Sequence, residues 1–492
     1  MKFISLTIIL ISSTLVLQSQ NITAKIIDSN TKQSIPYANI KTGEFSGVIS
    51  NEEGYFTINE SSINSSITIS CMGYKNKTLG IKEIQSMNFI IPLDESVNEL
   101  KTVYIINKNP NADSIVSRAR QRLYLNYENE YYKHKVFSRE TAYVDFENLN
   151  FEVEKASHVK KKNLETANNS LDSLASAIIN SKTIHFKDFM ADLFVGDSSR
   201  TKLVVQKATE LLDQKNTLSI EEVQNRAQNV ILKYLDTTLT YKLKTGLFKI
   251  EDSLSLKSEN EYKKEPEKNE YDSNNLKEQS KQLLKQSQFY DDAMLTQLLN
   301  DDLYDYSINN ILNYNDELIY VINYKPRRSK SKYTGQMYIV DGSYAITKVD
   351  YEFADGKRGD KLNLKLIFGV KYIENVRKGT VIYQKDSISK YHPQYIKYEE
   401  GRYFYVSRPL KFIENSPAKN KTSFDFTIEG NIITKKELLL TSNTKITSNA
   451  FNQITEAKKV PYTKLNKYDA TIWENEETIE PLEEMKTFKS KD

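Results

Sequence analysis

Apolar and polar residues alternate with a period of two through much of the second half of the chain. In Lys361 to Tyr372, Leu362, Leu364, Leu366, Phe368, Val370 and Tyr372 share one face, and Lys361, Asn363, Lys365, Ile367, Gly369 and Lys371 the other. This predicts a strand with one apolar and one mostly solvated face. Ile319 to Tyr324, Gly335 to Val340, Tyr344 to Phe353, Thr380 to Gln384 and Tyr395 to Val406 read likewise, and Asp341-Gly342 is a hairpin signal between two of them. Together they predict an antiparallel meander over Leu303 to Val406. Ahead of it the pattern is mixed. A helix capped by Asp113 or Ser114 runs to about Tyr127, with Ile115, Ala119 and Leu123 on one face. Tyr131 to Val144 and Leu149 to Val159 read as strands, and Lys160 to Asn180 turns helical. Thr201 to Gln214, Ile220 to Leu235 and Tyr290 to Asn300 also carry helical patterns. Lys257 to Asn275 is dense in Glu, Lys, Asn and Ser, too poor in apolar surface to offset its ordering entropy, and is expected to be a flexible insertion.

Near the start, three fragments are spaced like strands of one small sandwich: IPYANI, EEGYF and SITISCMGYK. Pro36 presets φ before an extended run Tyr37 to Ile40 that includes Ala38. Gly54 supplies the turn into Tyr55 and Phe56, and Gly73 lets the chain turn sharply before Tyr74. These residues resemble the carboxypeptidase-like regulatory domain, which is widespread in Bacteroidota envelope proteins and precedes their TonB-dependent receptors. The resemblance covers about Asn21 to Ile106 and implies a seven-stranded, transthyretin-like β-sandwich that binds or braces and brings no catalysis. Cys71 stands where the family more often has a bulky apolar residue. The segment GQMYIVDGSYAITKVDYEF resembles a strand pair of uncharacterised envelope proteins that carry the same domain, and the sheet it belongs to is similar to the half-barrel of periplasmic lipoprotein carriers. The expected fold is therefore mainly β with α+β: the sandwich (21–106), a helix-rich mixed segment (111–253), the insertion (254–285), an antiparallel sheet region (286–473) and a charged tail (474–492).

The apolar stretch Phe3 to Leu17 after Met1-Lys2 has the regions of a secretory signal over residues 1–19, shorter than the roughly 20 residues a spanning helix needs. The mature chain is thus expected to be exported to the periplasm, the outer membrane or the medium, with no transmembrane segment. A single cysteine excludes an intramolecular disulfide. With 68 basic and 65 acidic residues the net charge is +3, which gives no electrostatic case for nucleic acid. An outer-membrane barrel would need at least about eight strands, normally ending in one, whereas the meander supplies about seven and the chain ends in EEMKTFKSKD.

Candidate chemistry is sparse. None of the four histidines, His134, His158, His185 and His392, begins the His-x-x-Glu pair of a metallocarboxypeptidase, and His185-Phe-Lys-Asp188 is the nearest approach to it. Gly196-Asp197-Ser198-Ser199 resembles the nucleophile motif of one esterase family, but His392 has Ser389 where the partner Asp belongs. Gly43 to Gly47 misses a nucleophile elbow by one position. Arg358-Gly359-Asp360 reads as turn chemistry, and Lys325 to Lys332 as a solvated basic loop or a contact for anionic lipid. The acidic pairs Asp291-Asp292 and Asp301-Asp302 read as helix ends. Asp-Ser or Asp-Thr triplets at Ser114, Ser173, Thr237, Ser253 and Ser387 resemble O-glycosylation acceptors, Ser253 beside the insertion most of all. No catalytic residue, cofactor or metal ligand is assigned. The expected function is non-catalytic binding or scaffolding at the outer membrane with an envelope protein or glycan as partner. The alternative is a periplasmic carrier holding a lipid or other hydrophobic ligand in the half-barrel sheet; a hydrolase comes third.

Overall fold

The computed structural model describes residues 21–43, 46–60, 66–96, 110–127, 131–157, 159–181, 183–197, 200–212, 229, 232–246, 248–256, 269–290, 292–314, 317–386 and 388–488. The leader-like start, His158, Ser198, Ser387, Asp291, most of Ile220 to Leu235 and residues 257–268 of the expected insertion lie outside them. The chain divides into two compact units. One comprises Met1–Thr102, Leu312–Leu318 and Asp469–Glu483; the other comprises Val103–Ile311, Ile319–Tyr468 and Glu484–Asp492.

The first unit is a sandwich of a three-stranded and a four-stranded sheet. Strands β1 (Asn21–Asp28), β2 (Asn39–Lys41), β3 (Gly47–Ile49), β4 (Tyr55–Asn59), β5 (Ile67–Ser70), β6 (Lys77–Leu79) and β7 (Ile90–Leu93) are joined by one helix, α1 (Ile81–Ser86). The sheet orders are β4-β1-β7 and β3-β2-β5-β6. Period-two alternation in β1 turns Ile22, Ala24 and Ile26 inward, where they join Phe56, Ile58, Ile91 and Leu93 against Ile40, Val48, Ile67, Ile69 and Leu79. Cys71 packs at the margin of this core. The expected extended run from Tyr37 is corrected: Tyr37 has φ +59°, and β2 begins only at Asn39. The kink exists because the Tyr37 and Ala38 amides donate to the Ser50 carbonyl and hydroxyl, which ties this loop back to β3.

The second unit is built on β8 (Tyr132–Ala156), β9 (Thr183–Val195), β10 (Thr201–Leu212), β11 (Thr240–Thr245), β12 (Phe248–Ser255), β13 (Glu270–Asp272), β14 (Tyr304–Tyr314), β15 (Glu317–Pro326), β16 (Tyr333–Val340), β17 (Ile346–Phe353), β18 (Lys361–Leu364), β19 (Val370–Lys385), β20 (Tyr391–Glu414), β21 (Lys421–Lys445), β22 (Lys459–Pro461) and β23 (Thr463–Leu465). Fourteen strands form one sheet along the path β14-β15-β16-β17-β19-β20-β21-β8-β9-β10-β23, with β11, β12 and β18 paired off it. The expected meander is real but only part of this sheet. Segment 111–253, expected to be helix-rich, supplies β8 to β12. Of the helix expected over Thr201 to Gln214, the described part Thr201–Leu212 is a strand: its Leu203, Ala208 and Leu211 fit a helical spacing, yet eleven register positions paired to β9 outweigh that local preference. The two strands read between Tyr131 and Val159 are one strand of 25 residues.

Helices cover one face of the sheet. From α2 (Ala112–Gln121) come Ala112, Ile115, Val116 and Ala119, from α5 (Ser273–Gln286) Leu276, Leu283 and Leu284, and from α6 (Met294–Gln297) Leu295. All pack on Val136, Ala191, Ile322, Ile339, Val381 and Leu438. Two more helices lie between: α3 (Leu123–Asn126) and α4 (Lys161–Ser181). The cap of α2 is Asn111, whose side chain accepts from the Ser114 amide, so the start falls two to three residues before the expected cap. Asp272 caps α5 in the same way, so the expected insertion is already ordered by Glu270. The expected Tyr290 to Asn300 helix shrinks to the single turn of α6. Along the far half of β8, where β9 no longer pairs, α4 covers the strand with Leu171, Ala175 and Ile178. There Asn168 exchanges two bonds with the Val153 backbone, at 2.9 and 3.3 Å, which blunts a free edge.

The strand expected over Lys361 to Tyr372 is corrected as well. Its alternation is good, but the chain doubles back: β18 ends at Leu364, Lys365–Phe368 form a helical turn (α7), and Gly369 at φ +61° turns into β19, where Val370 pairs with Leu364. The charged tail is not wholly solvated either. Met485 is buried with Phe186 and Leu211, because the last residues return over β9 and β10.

Candidate functional site

One end of the long sheet gathers the side chains with chemical potential. Tyr132 and His134 stand at the start of β8, Val195 and Thr201 at the β9-β10 turn, and Tyr391 and His392 at the start of β20, next to Pro393, which pairs with Tyr383 on β19. The C-terminal turn of α5 and the following Ser287 to Tyr290 close over them, and Tyr127 enters from behind α3. They enclose a cavity of about 490 Å³.

Its wall is aromatic. The Tyr127 ring lies 4.7 Å from Phe289 and 5.4 Å, edge-on, from Tyr383, with Phe289 stacked on Tyr383 at 5.8 Å. Tyr132 meets His392 edge-on at 4.7 Å and stacks on His134 at 6.0 Å. Such offset and T-shaped contacts suit the ring quadrupoles and fix the wall. Two phenols are committed to backbone: Tyr127 donates to the Ile346 carbonyl at 2.6 Å and accepts from its amide at 2.8 Å, and Tyr383 donates to the Ser287 carbonyl. Burial pushes both phenols well above the usual tyrosine range, so they stay neutral.

The two histidines differ. His392 donates from Nε2 to the Asp386 Oδ2 at 3.0 Å, and the other Asp386 oxygen accepts from the Ile388 and Lys390 amides, so this carboxylate organises the whole turn between β19 and β20. His134 is buried, and its Nδ1 has no hydrogen-bond partner among the described residues. Burial, with His392 nearby, pushes its pKa down to about 3, so the ring is neutral. A buried ring nitrogen without a partner is a hydrogen-bonding position left open, on a residue that lines the cavity. Lys281 and Lys285 also line the cavity, and the Lys285 ammonium sits 5.6 Å from the Tyr290 ring centre. The arrangement suits a small ligand with a flat or apolar body and one hydrogen-bonding group.

Apart from His134, His392 and Gly196, the residues singled out in the sequence lie elsewhere. Gly54 (φ +79°) and Gly73 (φ +87°) make the turns expected of them. Pro36 leads into the kink, Ala38 and Phe56 are in the sandwich core, Tyr55 lies under the Lys25 ammonium, and the Tyr74 hydroxyl donates to Asp28 at 3.1 Å. Ser253 is exposed on β12. His185 and Asp188 do not converge on a metal: His185 pairs with Glu210 at 2.8 Å, while Asp188 is held by Arg139 through bonds of 2.7 to 3.2 Å. Among the described residues no cluster of three or more His, Cys, Asp or Glu is arranged for a metal ion. The esterase-like motif places Gly196 in the cavity wall, and Asp386, six residues before His392 rather than three, is its carboxylate partner. Ser198 lies outside the described residues. Arg358 to Asp360 is a turn whose Gly359 and Asp360 amides donate to Glu374. In the basic loop, Arg327 is paired with Asp305 at 2.7 Å.

His134 and the aromatic wall escaped the sequence because their histidines were weighed only as metal ligands. The legible signal was Tyr132-x-His134 and Tyr391-His392, aromatic and histidine side by side at two strand starts.

Comparison with known families agrees with the first unit. Residues 22–105 are matched by the CarboxypepD_reg-like domain family. The regulatory-like domain thus contains the sandwich whose seven strands were described above. No curated protein matches the chain. Among the described residues no helix is long and apolar enough to cross a membrane.

Proposed function

We propose that this chain is a non-catalytic, exported envelope protein that acts as a binding module, with the aromatic cavity of the second unit as its ligand site and the regulatory-like domain as a brace. Export rests on the apolar stretch Phe3 to Leu17. The observation that carries the binding reading is the aromatic-walled cavity of about 490 Å³ lined by the neutral, buried His134, whose Nδ1 has no hydrogen-bond partner among the described residues. The carrier alternative needs open apolar volume along the sheet. Helices α2, α5 and α6 occupy one face with their own side chains, which leaves the end cavity as the place for a hydrophobic ligand.

The test is organic extraction of the purified full-length protein followed by mass spectrometry, beside Thr201→Phe, which enlarges a lining side chain. One compact hydrophobic species near unit stoichiometry, lost in the variant, supports the ligand site. Acyl chains at that stoichiometry shift the reading to the carrier. A clean extract from both proteins, with no compound from a hydrophobic library changing the melting temperature, refutes the cavity as a ligand site. Turnover of an ester or glycoside that disappears in Asp386→Asn overturns the non-catalytic reading.

A further inference from the structure

The far end of the sheet from the cavity carries an apolar patch that none of the described residues covers. Leu366 is fully exposed, Ile367 is 67% exposed and Ile250 54%, with Phe248 and Leu362 each nearly half exposed. They come from two separate hairpins. Turn α7 between β18 and β19 holds Leu366 and Ile367, and the β11-β12 hairpin, docked on β20 through Lys244 opposite Lys411, holds Phe248 and Ile250. The two are fastened together by Phe248, stacked on Phe368 at 5.4 Å. Exposed leucine and isoleucine at the apex of a turn cost solubility and contribute nothing to this fold, so the patch calls for an outside partner.

The charge around it says which. Segments 248–250, 361–371 and 405–411, which the pairing brings together, contain Lys249, Lys361, Lys365, Lys371, Arg408 and Lys411; Lys249 is paired with Asp252, and with Glu251 and Asp360 at the margins the tip keeps an excess of positive charge from the other five. Three of these cations rest on rings rather than carboxylates. The Lys365 ammonium lies 3.8 Å from the centre of Tyr405, Lys371 lies 4.9 Å from Tyr403, and the Arg408 guanidinium 5.7 Å from Phe368. A cation held on a ring keeps its charge outward and open to a second, anionic partner. An apolar apex with a collar of such cations and tyrosines matches the boundary of an anionic lipid layer. Leu366 and Ile367 enter the acyl region, the rings sit at the headgroups, and the lysines and arginine meet phosphates.

We propose that the α7 turn and the β11-β12 hairpin form a docking tip for an anionic lipid surface. The proposal is independent of the cavity, which lies at the other end of β20. The experiment is flotation of the full chain with vesicles of phosphatidylcholine alone or of equal parts phosphatidylcholine and phosphatidylglycerol. The protein floats with the anionic vesicles and not with the neutral ones, and added salt weakens binding. The double variant Leu366→Ser/Ile367→Ser, and separately Lys365→Glu/Arg408→Glu, lower partitioning by about tenfold or more, since each removes one of the two terms. Leu366, Ile367 and Lys365 are exposed and Arg408 is half-buried, so the melting temperature of the Leu366→Ser/Ile367→Ser variant stays unchanged. His134→Gln floats like the parent, which separates this result from the fate of the cavity. Flotation of the parent with neither vesicle, equal flotation with both, or parent-like flotation of the tip variants overturns the proposal. So does a concentration-dependent dimer that Leu366→Ser dissolves and that does not float, because the patch is then a self-association surface.

Discussion

His134 makes the second unit sensitive to acid in a way that can be calculated. An ordinary histidine titrates at 6.5, whereas burial holds this ring at about 3. The folded pKa is depressed, so between those values the unfolded chain binds the proton and the folded one does not. The contribution is fully present above about pH 6.5 and is lost as pH falls towards 3, at about 1.4 kcal/mol per pH unit within that window. From pH 7 to pH 5 the loss from this residue is about 2 kcal/mol. Gln at position 134 keeps a polar group and cannot take the proton. Urea denaturation of parent and His134→Gln, followed by tyrosine near-ultraviolet circular dichroism at pH 7 and pH 5, isolates the effect, because groups remote from this position are the same in both proteins. The stability gap between the two narrows by about 2 kcal/mol at pH 5. Parallel curves would falsify the buried, neutral state of this ring.

Other outcomes follow from single contacts. Gly73→Val lowers sandwich stability by roughly 1–3 kcal/mol from backbone strain alone; its new Cβ meets only Leu312, at an ordinary 3.8 Å. Gly54→Ala costs at least as much, because its Cβ falls 2.7 Å from the Ile26 carbonyl as well as at positive φ; equal denaturation midpoints for parent and variant count against both turns. Arg139→Ala strands the buried Asp188 carboxylate and costs about 3–5 kcal/mol, read as a fall in the urea midpoint of the second unit; a change below the error of the midpoint shows water reaching that pair. The isolated fragment 21–106 gives a β-rich circular dichroism spectrum, because the buried core of the sandwich lies wholly between Ile22 and Leu93; a random-coil spectrum shows that segment Asp469–Glu483, which bonds to Asn51 and Thr57, is required.

The sandwich was legible because its evidence is local. Gly54, Gly73 and the alternation in β1 each carry a backbone requirement inside a few residues, and only Tyr37, bent by a serine thirteen positions later, departed from it. The meander was legible for the same reason, down to the Asp341-Gly342 turn. Errors arose where a long-range partner decides. Thr201 to Leu212 suits either period until β9 is beside it, and Leu362 to Phe368 alternates like a strand although Leu364 pairs with Val370 only six residues on.

The cavity and the tip were illegible for a deeper reason. Each is assembled from strand ends, and strand ends meet through registers that join residues hundreds of positions apart, as Tyr132 does with Lys445. Strands this long carry different chemistry at their two ends. β20 begins with Tyr391 and His392 in a neutral aromatic wall and passes Arg408 at a cationic apex sixteen residues later, on the order of 50 Å away at about 3.3 Å per residue. Between those ends its side chains only pair and pack, so nothing in the local sequence distinguishes them from ordinary strand. A ligand in the cavity and a lipid at the tip would therefore load opposite ends of the same hydrogen-bonded strand. Measuring flotation with and without the extracted ligand then reveals whether the two ends are coupled: a change in partitioning requires that the ligand alter the β19-β20 pairing, and none means the strand serves only as a rigid spacer.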